Sequence, residues 1–273
     1  MTRFSFIRYL LPLTFILCTG LQATTTVIKA GFVLDIESGK WQKNQLIFIE
    51  GERISNIQSA GVTIPDDATV IDLSKQYILP GFMDMHTHLM GYLDKDFYAG
   101  LFQSPHRAVI GGVVNAEKTL MAGFTTIRNL GDSNNETVAL RNAINKGMVK
   151  GPRIYTAAKS IATTGGHADP TNGRSKSIMG DPGPLQGVIN GVAEARKAVR
   201  QRYKDGADLI KITATGGVLS VAKSGQNPQF MDDELNAIVA TAKDYGMTVA
   251  VHAHVTAGMF SPIKAGVTSI EHG

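Results

Sequence analysis

The sequence has little cysteine, little proline and no apolar run long enough to cross a membrane. One cysteine in 273 residues excludes an intramolecular disulfide framework. The 10 prolines and 29 glycines follow no G-x-y period, which excludes a collagen-like chain. The formal charge is only +4, with basic residues scattered among acidic ones, so the basic stripe of a nucleic-acid binder is missing. With 43% apolar residues, the chain is instead typical of a globular protein with a sizeable core.

The first 23 residues have the layout of a secretory signal. Arg3 and Arg8 are basic, residues 9–19 are mostly apolar, and Ala23 offers a small residue at a cleavage point. The apolar stretch is too short for the alternative, a membrane span of about 20 residues. We therefore expect cleavage of residues 1–23 and a periplasmic or secreted protein that is not membrane-bound afterwards.

Residues 24–80 contain short β-rich segments separated by turns. Residues 37–40 and 50–53 have the composition of hairpin turns, and 53–57 alternates polar and apolar side chains as a half-buried strand does. The pattern predicts a small β-sandwich-like lobe. Its predicted strands are residues 25–30, 45–50, 53–57 and 70–73.

Predicted strands and helices alternate through residues 81–273. This alternation is typical of a parallel sheet with helices outside it, and it predicts an α/β fold of the (β/α)₈ barrel type. The predicted strands are residues 81–88, 124–130, 153–158, 208–213, 248–253 and 267–271, six of the eight that a barrel needs. The predicted helices are residues 105–122, 136–147, 186–205, 232–245 and 256–265.

Two histidines, His86 and His88, end the first of these predicted strands. Residues i and i+2 of a strand face the same side, so both imidazoles would point into the barrel at its carboxyl-terminal rim. Two neutral imidazoles in that arrangement can bind one divalent metal ion. The alternative is a pair of surface histidines at a strand end.

Later strands carry further candidate ligands to the same rim. Lys211 lies in a strand with apolar neighbours on both sides, so it needs either a salt-bridge partner in the core or a function. His252 and His254 end the next strand, and His272 ends the sixth. His106, at the start of a helix, is the exception and is interpreted as structural or solvated.

Several segments resemble the amidohydrolase superfamily. The run ILPGFMDMHTH at residues 78–88 resembles the first metal-binding strand of that superfamily, and residues 123–132 resemble the segment that follows it. Residues 211–217, 251–254 and 266–273 resemble the branch that contains imidazolonepropionase-like proteins and Xaa-Pro dipeptidases. The resemblance covers nearly all of the chain beyond the signal segment, in unbroken order.

The resemblance implies a site with two divalent metal ions. His86 and His88 would bind the more buried ion, and His252 and His272 the second. Lys211 would be carboxylated, and its carbamate would bridge the two ions. The ligand set suits two Zn²⁺ ions, with manganese, cobalt and iron left open.

Two further histidines have implied roles at the substrate. His167 lies in the Gly-rich loop 163–169, where it would orient the substrate or polarise its carbonyl group; the alternative is a loop histidine satisfied by the backbone. His254 shares a face with His252, so it would be a substrate contact or the alternative metal ligand. Lys211, His167 and His254 are thus the predicted catalytic residues.

The sequence departs from the family at the general base. The family takes an aspartate from the eighth strand of the barrel, whereas this sequence ends at Gly273, directly after the sixth. Neither Asp132 nor Asp169 is assigned the role. We therefore expect a C-terminally truncated barrel with two exposed sheet edges, inactive by itself.

The predicted function is metal-dependent hydrolysis of an amide bond in a dipeptide or short peptide, with C-terminal proline as one candidate. A cyclic amide or imidazolone is the alternative substrate. An inactive remnant that binds metal without catalysis is the alternative from another class. No nucleic-acid partner is expected, and a homo-oligomer stays open.

Overall fold

The computed structural model describes residues 25–91, 104–218, 220–221 and 225–273, and the predicted signal segment 1–23 lies outside these. The chain divides into two compact units, Met1–Pro80 and Gly81–Gly273. Among the described helices, none combines the length and the apolar character needed to span a membrane.

The described part of the first unit is one four-stranded mixed sheet, a single layer where the sequence predicts a sandwich-like lobe. The order is β3-β2-β1-β4, with β1 antiparallel to β2 and parallel to β4, and β2 antiparallel to β3. The strands are β1 (Thr25–Asp35), β2 (Lys40–Glu50), β3 (Arg53–Ser59) and β4 (Thr69–Ile78).

These strands are longer than predicted because a bulge lets β1 continue past the predicted end. The pairing of β1 with β4 shifts at Gly31. A Cβ atom on Gly31 would lie 2.3 Å from the carbonyl oxygen of Ser74, so only glycine fits this close approach. Beyond it, the ring of Phe32 stacks on that of Tyr77, with centroids 4.3 Å apart, which gives the extended part of the sheet an aromatic contact.

The second unit contains six parallel strands in two groups of three, β5-β6-β7 and β10-β11-β12, and a short parallel pair, β8-β9. The groups meet where the amide of Asp208 donates to the carbonyl oxygen of Thr156 at 2.8 Å. The predicted six-stranded part of a (β/α)₈ barrel is confirmed. The strands are β5 (Phe82–Thr87), β6 (Phe124–Asn129), β7 (Arg153–Thr156), β8 (Ala162–Thr163), β9 (Val188–Ile189), β10 (Leu209–Thr213), β11 (Thr248–His252) and β12 (Ser269–Glu271).

Four of the five predicted helices begin and end within two residues of their predicted positions, and one prediction is wrong at its start. The helix predicted from residue 186 begins only at Val192, because Val188–Ile189 pairs as a strand with Ala162–Thr163. Gly191, with φ of 84°, makes the turn into the helix. The helices are α1 (Pro105–Met121), α2 (Glu136–Asn145), α3 (Lys176–Met179), α4 (Val192–Asp205), α5 (Asp232–Asp244) and α6 (Val255–Ala265).

The largest apolar core of this unit lies between β10, β11 and the helices α4 and α5. Ile210, Ile212 and Val251 are fully buried against Leu235 and Ile238 of α5. All five residues of β10 are buried, so both faces of this strand are covered. The core therefore fixes β10 and β11, whose carboxyl ends lie at the rim of the partial barrel.

Candidate metal centre

The carboxyl ends of β5, β11 and β12 bring the predicted histidines together. His272 follows β12 and is central to the group. Its ring centroid lies 4.7 Å from that of His86, 4.8 Å from that of His252 and 5.4 Å from that of His254. His86 and His88, on β5 and just after it, have ring centroids 5.3 Å apart. Side chains far apart in sequence thus form one imidazole cluster at the rim.

The first predicted pair presents two ring nitrogens to one point. The Nδ1 atom of His88 lies 3.1 Å from the carbonyl oxygen of Gly131, and that of His86 lies 3.1 Å from a carboxylate oxygen of Glu271. Since both partners accept, each Nδ1 carries the proton and each Nε2 keeps a lone pair. The two Nε2 atoms are 3.3 Å apart. Ligands about 2.1 Å from a shared tetrahedral zinc ion are separated by about 3.4 Å.

The second predicted pair also has a defined donor atom at His252. Its Nε2 lies 3.1 Å from the carbonyl oxygen of Gly216, so Nε2 carries the proton and Nδ1 keeps the lone pair. Burial lowers the pKa of His252 to about 3. Burial, with the nearby charge of Lys211, lowers the pKa of His86 to about 4. Both rings are therefore neutral at physiological pH, as metal ligation requires.

Lys211 lies in the buried strand β10, and no carboxylate of the described residues forms an ion pair with it. It is 3% exposed, and its Nζ atom has no hydrogen-bond partner in the described part of the chain. The alternative of a salt-bridged core lysine is thus not what the described residues show. Burial lowers the pKa of the amine to about 8, although the carboxylate of Glu271 acts in the opposite direction. An unpaired buried amine is costly and fits a group that is modified or bound to a metal.

The donors fit a divalent metal site, but they are not all gathered around one point. Within residues 25–91, 104–218, 220–221 and 225–273, no three His, Cys, Asp or Glu side chains form a ready ligand group. Two converging imidazole nitrogens, a second imidazole pair and an unpartnered buried amine are present instead. The complete ligand set remains a prediction.

The two predicted substrate residues flank His252. His167 stacks on it, with centroids 4.2 Å apart, and the Nδ1 atom of His167 is buried without a partner among the described residues. The ring of His254 meets that of His252 edge-on at 4.8 Å. Gly217 packs against the first stack, because a Cβ atom there would lie 2.6 Å from His167 and 2.8 Å from His252. The Gly217 backbone therefore packs closely against the His167 ring, whose Nδ1 atom has no partner in the part of the chain that the structure describes.

The two aspartates that were not assigned as general base are engaged in local turns. Asp132 accepts hydrogen bonds from the amide (2.9 Å) and hydroxyl group of Thr137 at the start of α2. Asp169 accepts from the amide (2.9 Å) and hydroxyl (2.7 Å) of Thr171. His106 is exposed, and its Nδ1 atom lies 2.9 Å from the hydroxyl of Ser104 at the start of α1. None of the three side chains belongs to the imidazole cluster.

Arg128 and Glu271, which have no predicted role, contact each other beside the cluster, and Glu271 also contacts His86. The guanidinium of Arg128 donates to Glu271 at 2.5 Å. Burial acts to raise the pKa of Glu271, but the hydrogen bond from Ser269 and the charge of Arg128 hold it below its usual value, so the group is a carboxylate. Lys211 was singled out because it is a charged residue inside a predicted barrel strand. Arg128 has the same sequence pattern, since it lies inside β6.

The rim of imidazoles and a buried lysine on parallel strands defines a barrel protein whose candidate site lies at the carboxyl-terminal face, where barrel enzymes place their chemistry. Residues 77–273 match the model of the amidohydrolase family, and the chain belongs to that family. Members of this family generally use divalent metal ions. The resemblance inferred from the sequence is confirmed.

Similar proteins cover nearly the whole described chain. The structure of a Xaa-Pro dipeptidase with methionine bound in its active site is 51% identical, with a TM-score of 0.88, over 92% of this chain and 62% of that one. A prolidase complexed with N-methylphosphonate-L-proline is 33% identical, with a TM-score of 0.81, over 92% of this chain and 61% of that one. Ochratoxinase of Aspergillus niger is 29% identical over 92% of this chain and 55% of its own length. The chain thus spans little more than half the length of this curated relative.

Proposed function

We propose that this chain is the barrel part of a metal-dependent hydrolase that cleaves the amide bond of dipeptides with C-terminal proline. The observation that carries the proposal is the 51% identity with the Xaa-Pro dipeptidase over 92% of this chain. The similarity to a prolidase with a proline phosphonate bound favours the same substrate class. The imidazole cluster supports metal dependence.

The proposed ligands of two zinc ions are His86, His88, His252, His272 and a carboxylated Lys211. With a pKa of about 8, about a tenth of the Lys211 amine is neutral at pH 7. The neutral amine attacks carbon dioxide, forms a new N–C bond and releases a proton. The resulting carbamate carries one negative charge shared by two oxygen atoms, in place of a buried cation. When bound, the metal ions would polarise the scissile carbonyl group and activate water.

His167 and His254 are proposed to orient the dipeptide. Burial lowers the pKa of His167, so its ring is neutral, and its buried Nδ1 atom, which has no partner among the described residues, is proposed to make one hydrogen bond to a bound substrate. The ring of His254 meets that of His252 edge-on, with centroids 4.8 Å apart, and would make a second contact with a short substrate. Two such contacts fix a dipeptide in one direction relative to the metal-binding nitrogens.

Turnover by these 273 residues alone is expected to be slow. The carboxylates of Asp132 and Asp169 are held in turns, so neither is free to accept a proton from water. Loss of a general base typically costs a factor of about 10²–10⁴ in rate. An inactive metal-binding remnant and a cyclic amide hydrolase therefore remain the two alternatives that the assay below must separate.

Export is proposed from the signal layout of residues 1–23. An exported dipeptidase would act on peptides outside the cytoplasm. N-terminal sequencing of the protein recovered from periplasm or medium should begin near Thr24. Recovery from the cytosol alone, with Met1 intact, would contradict export.

The test of the function compares proline and non-proline substrates in the zinc-loaded protein. Hydrolysis of Met-Pro, Met-Ala and dihydroorotate is measured together with binding of N-methylphosphonate-L-proline by calorimetry. We expect a preference for Met-Pro over Met-Ala, and binding of the phosphonate even if turnover is slow. Hydrolysis of dihydroorotate alone would support the cyclic amide alternative. Phosphonate binding without hydrolysis of any substrate would support the inactive remnant. The absence of both binding and hydrolysis would overturn the proposal.

A further inference from the structure

A guanidinium–carboxylate pair lies inside the second unit, between strands that are not neighbours in either group of three. Arg128 belongs to β6 and Glu271 to β12. Their side chains are 14% and 7% exposed, and the shortest distance between their charged atoms is 2.5 Å. A buried pair at this separation has a fixed geometry, because neither charge can turn to water without losing its partner.

The guanidinium of Arg128 is held by groups from two other strands. Its Nε atom donates to the carbonyl oxygen of Met85 on β5 at 2.7 Å. Its Nη1 atom donates to the hydroxyl of Ser269 at 3.1 Å, and Nη2 donates to Glu271, both on β12. A planar guanidinium with donors committed in three directions has one orientation. Arg128 therefore fixes β12 relative to the strand that carries the first predicted metal ligand.

The carboxylate of Glu271 divides its two oxygens between different partners. Oε1 accepts from Arg128 and from the hydroxyl of Ser269, which lies 2.8 Å away. Oε2 is left for His86, whose Nδ1 atom lies 3.1 Å away. Because Oε1 is held twice, the carboxylate cannot rotate, and Oε2 keeps facing the imidazole. The proton of His86 is thereby held on Nδ1.

The two histidines of the pair differ in how their tautomers are set. His88 is held by the backbone carbonyl of Gly131, which no substitution of a side chain removes. His86 depends on Glu271, and Glu271 depends on Arg128 and Ser269. The Nε2 lone pair of His86 thus points toward His88, and the two Nε2 atoms are 3.3 Å apart. Only side chains hold the His86 ring in this orientation.

We propose that Arg128 and Glu271 form a positioning pair that fixes the tautomer and orientation of His86 for metal binding. The proposal rests on the metal site of the proposed function. Neither residue is a metal ligand; both act through His86. A hydrogen-bonded carboxylate behind a ligating histidine sets the ring and raises its basicity, and losing such a partner typically costs about 10–100-fold in metal affinity.

The test replaces both charges together, with Arg128→Met and Glu271→Met in one chain, so that no unpaired charge is buried. Zinc affinity is measured by competition with a chromophoric chelator. We expect a loss of about 10–100-fold in affinity. Arg141→Met is the matched control: Arg141 pairs with Asp208 at 2.7 Å, away from the histidines, and zinc affinity should not change.

A second readout separates positioning from a structural role. In the metal-free protein, ¹⁵N NMR of the histidine rings should show the proton of His86 on Nδ1, and the double variant should shift it toward Nε2. An unchanged tautomer and zinc affinity in a folded double variant would overturn this inference while leaving the metal site intact. Failure of the unaltered chain to bind zinc would instead contradict the proposed function. If the double variant does not fold, the milder Glu271→Gln decides the question: its amide group can donate to His86, and unchanged zinc affinity would again overturn the inference.

Discussion

Lys211 lies in the middle of a strand in which all five residues are buried, and its amine has no hydrogen-bond partner in the described residues. A charged amine in such a place raises the free energy of the folded protein, and this cost is visible in the lowered pKa of about 8. A side chain that destabilises the fold is expected where it serves a site. The imidazole cluster beside it identifies that site.

Replacing Lys211 with methionine should stabilise the metal-free protein in buffer without carbon dioxide. The unfolded lysine titrates near 10.5 and the folded one near 8. Between these values the unfolded chain binds a proton that the folded chain does not, so the unfolding free energy of the parent rises with pH there. The unfolding free energy of Lys211→Met should therefore exceed that of the parent by about 3 kcal/mol at pH 7, and the two values should converge by about pH 10.5. Denaturant unfolding across this range measures the difference.

A difference that stays constant between pH 7 and pH 10.5 would contradict this account of the buried amine. Lys197→Met is the control, since Lys197 is exposed on α4 and should show no such convergence. Both variants remove one charge and add the same side chain. The comparison therefore isolates the effect of burial.

Helix α4 is fixed to the loops around it by one buried side chain, Arg202, which is 1% exposed. Its guanidinium donates to the carbonyl oxygens of Lys159 at 3.1 Å and Leu185 at 2.7 Å. The Lys159 carbonyl lies just before β8, and the Leu185 carbonyl lies just before β9, in the segment that connects the two strands. One side chain thus satisfies backbone acceptors that would otherwise be buried without a donor.

Arg202→Met should destabilise the protein by about 2–4 kcal/mol, because hydrogen bonds from a charged donor are lost and their acceptors stay buried. Thermal and denaturant unfolding measure the change. Arg200→Met, on the exposed side of the same helix, is the matched control and should change stability by no more than about 0.5 kcal/mol. Equal effects of the two substitutions would show that Arg202 is not what fixes the loops.

The element pattern could be predicted from the sequence where periodicity and caps agree. Asp232–Asp244 follows an acidic first turn, and the structure has this helix where it was expected. The start of α4 could not be predicted, because Val188–Ile189 becomes a strand only through pairing with Ala162–Thr163, a contact that local propensity does not show. The continuation of β1 depends on Gly31 meeting a distant carbonyl group, which is equally invisible in a local pattern.

The histidines of the candidate site could be predicted from the strand pattern, but the side chains that contact them could not. The period of two puts His86 on one side of its strand, and the strand ends bring His252 and His272 to the same rim. The roles of Arg128 and Glu271 depend on a contact across the barrel interior between β6 and β12. Such a contact follows from the curvature of the sheet, so a linear pattern shows only that a charge is present.

Two strands of the partial barrel have an unpaired edge among the described residues. Strand β5 pairs only with β6, and β12 pairs only with β11. On β5, Phe82 is 52% and Met83 68% exposed. An apolar edge strand is a template for pairing with another chain. We therefore expect the 273-residue chain to self-associate in solution.

Met83→Lys should reduce this association, because a lysine on an edge strand opposes pairing. Size-exclusion chromatography with light scattering, over a range of concentrations, measures the effect. Met121→Lys is the control, since Met121 is 77% exposed at the end of α1 rather than on a strand edge. A chain that is monomeric at all concentrations, or equal association in both variants, would show that the β5 edge is not an interface.

Strand-end histidines and Lys211 of the barrel are proposed to bind two divalent metal ions together. The most direct test is the number of zinc ions kept per chain after dialysis, counted by mass spectrometry in the parent, Lys211→Ala and the control His106→Ala. We expect two zinc ions in the parent and the control, and their loss in Lys211→Ala with partial recovery on adding a short carboxylic acid. A parent chain without zinc, or a Lys211→Ala chain that keeps both ions, would contradict this proposal.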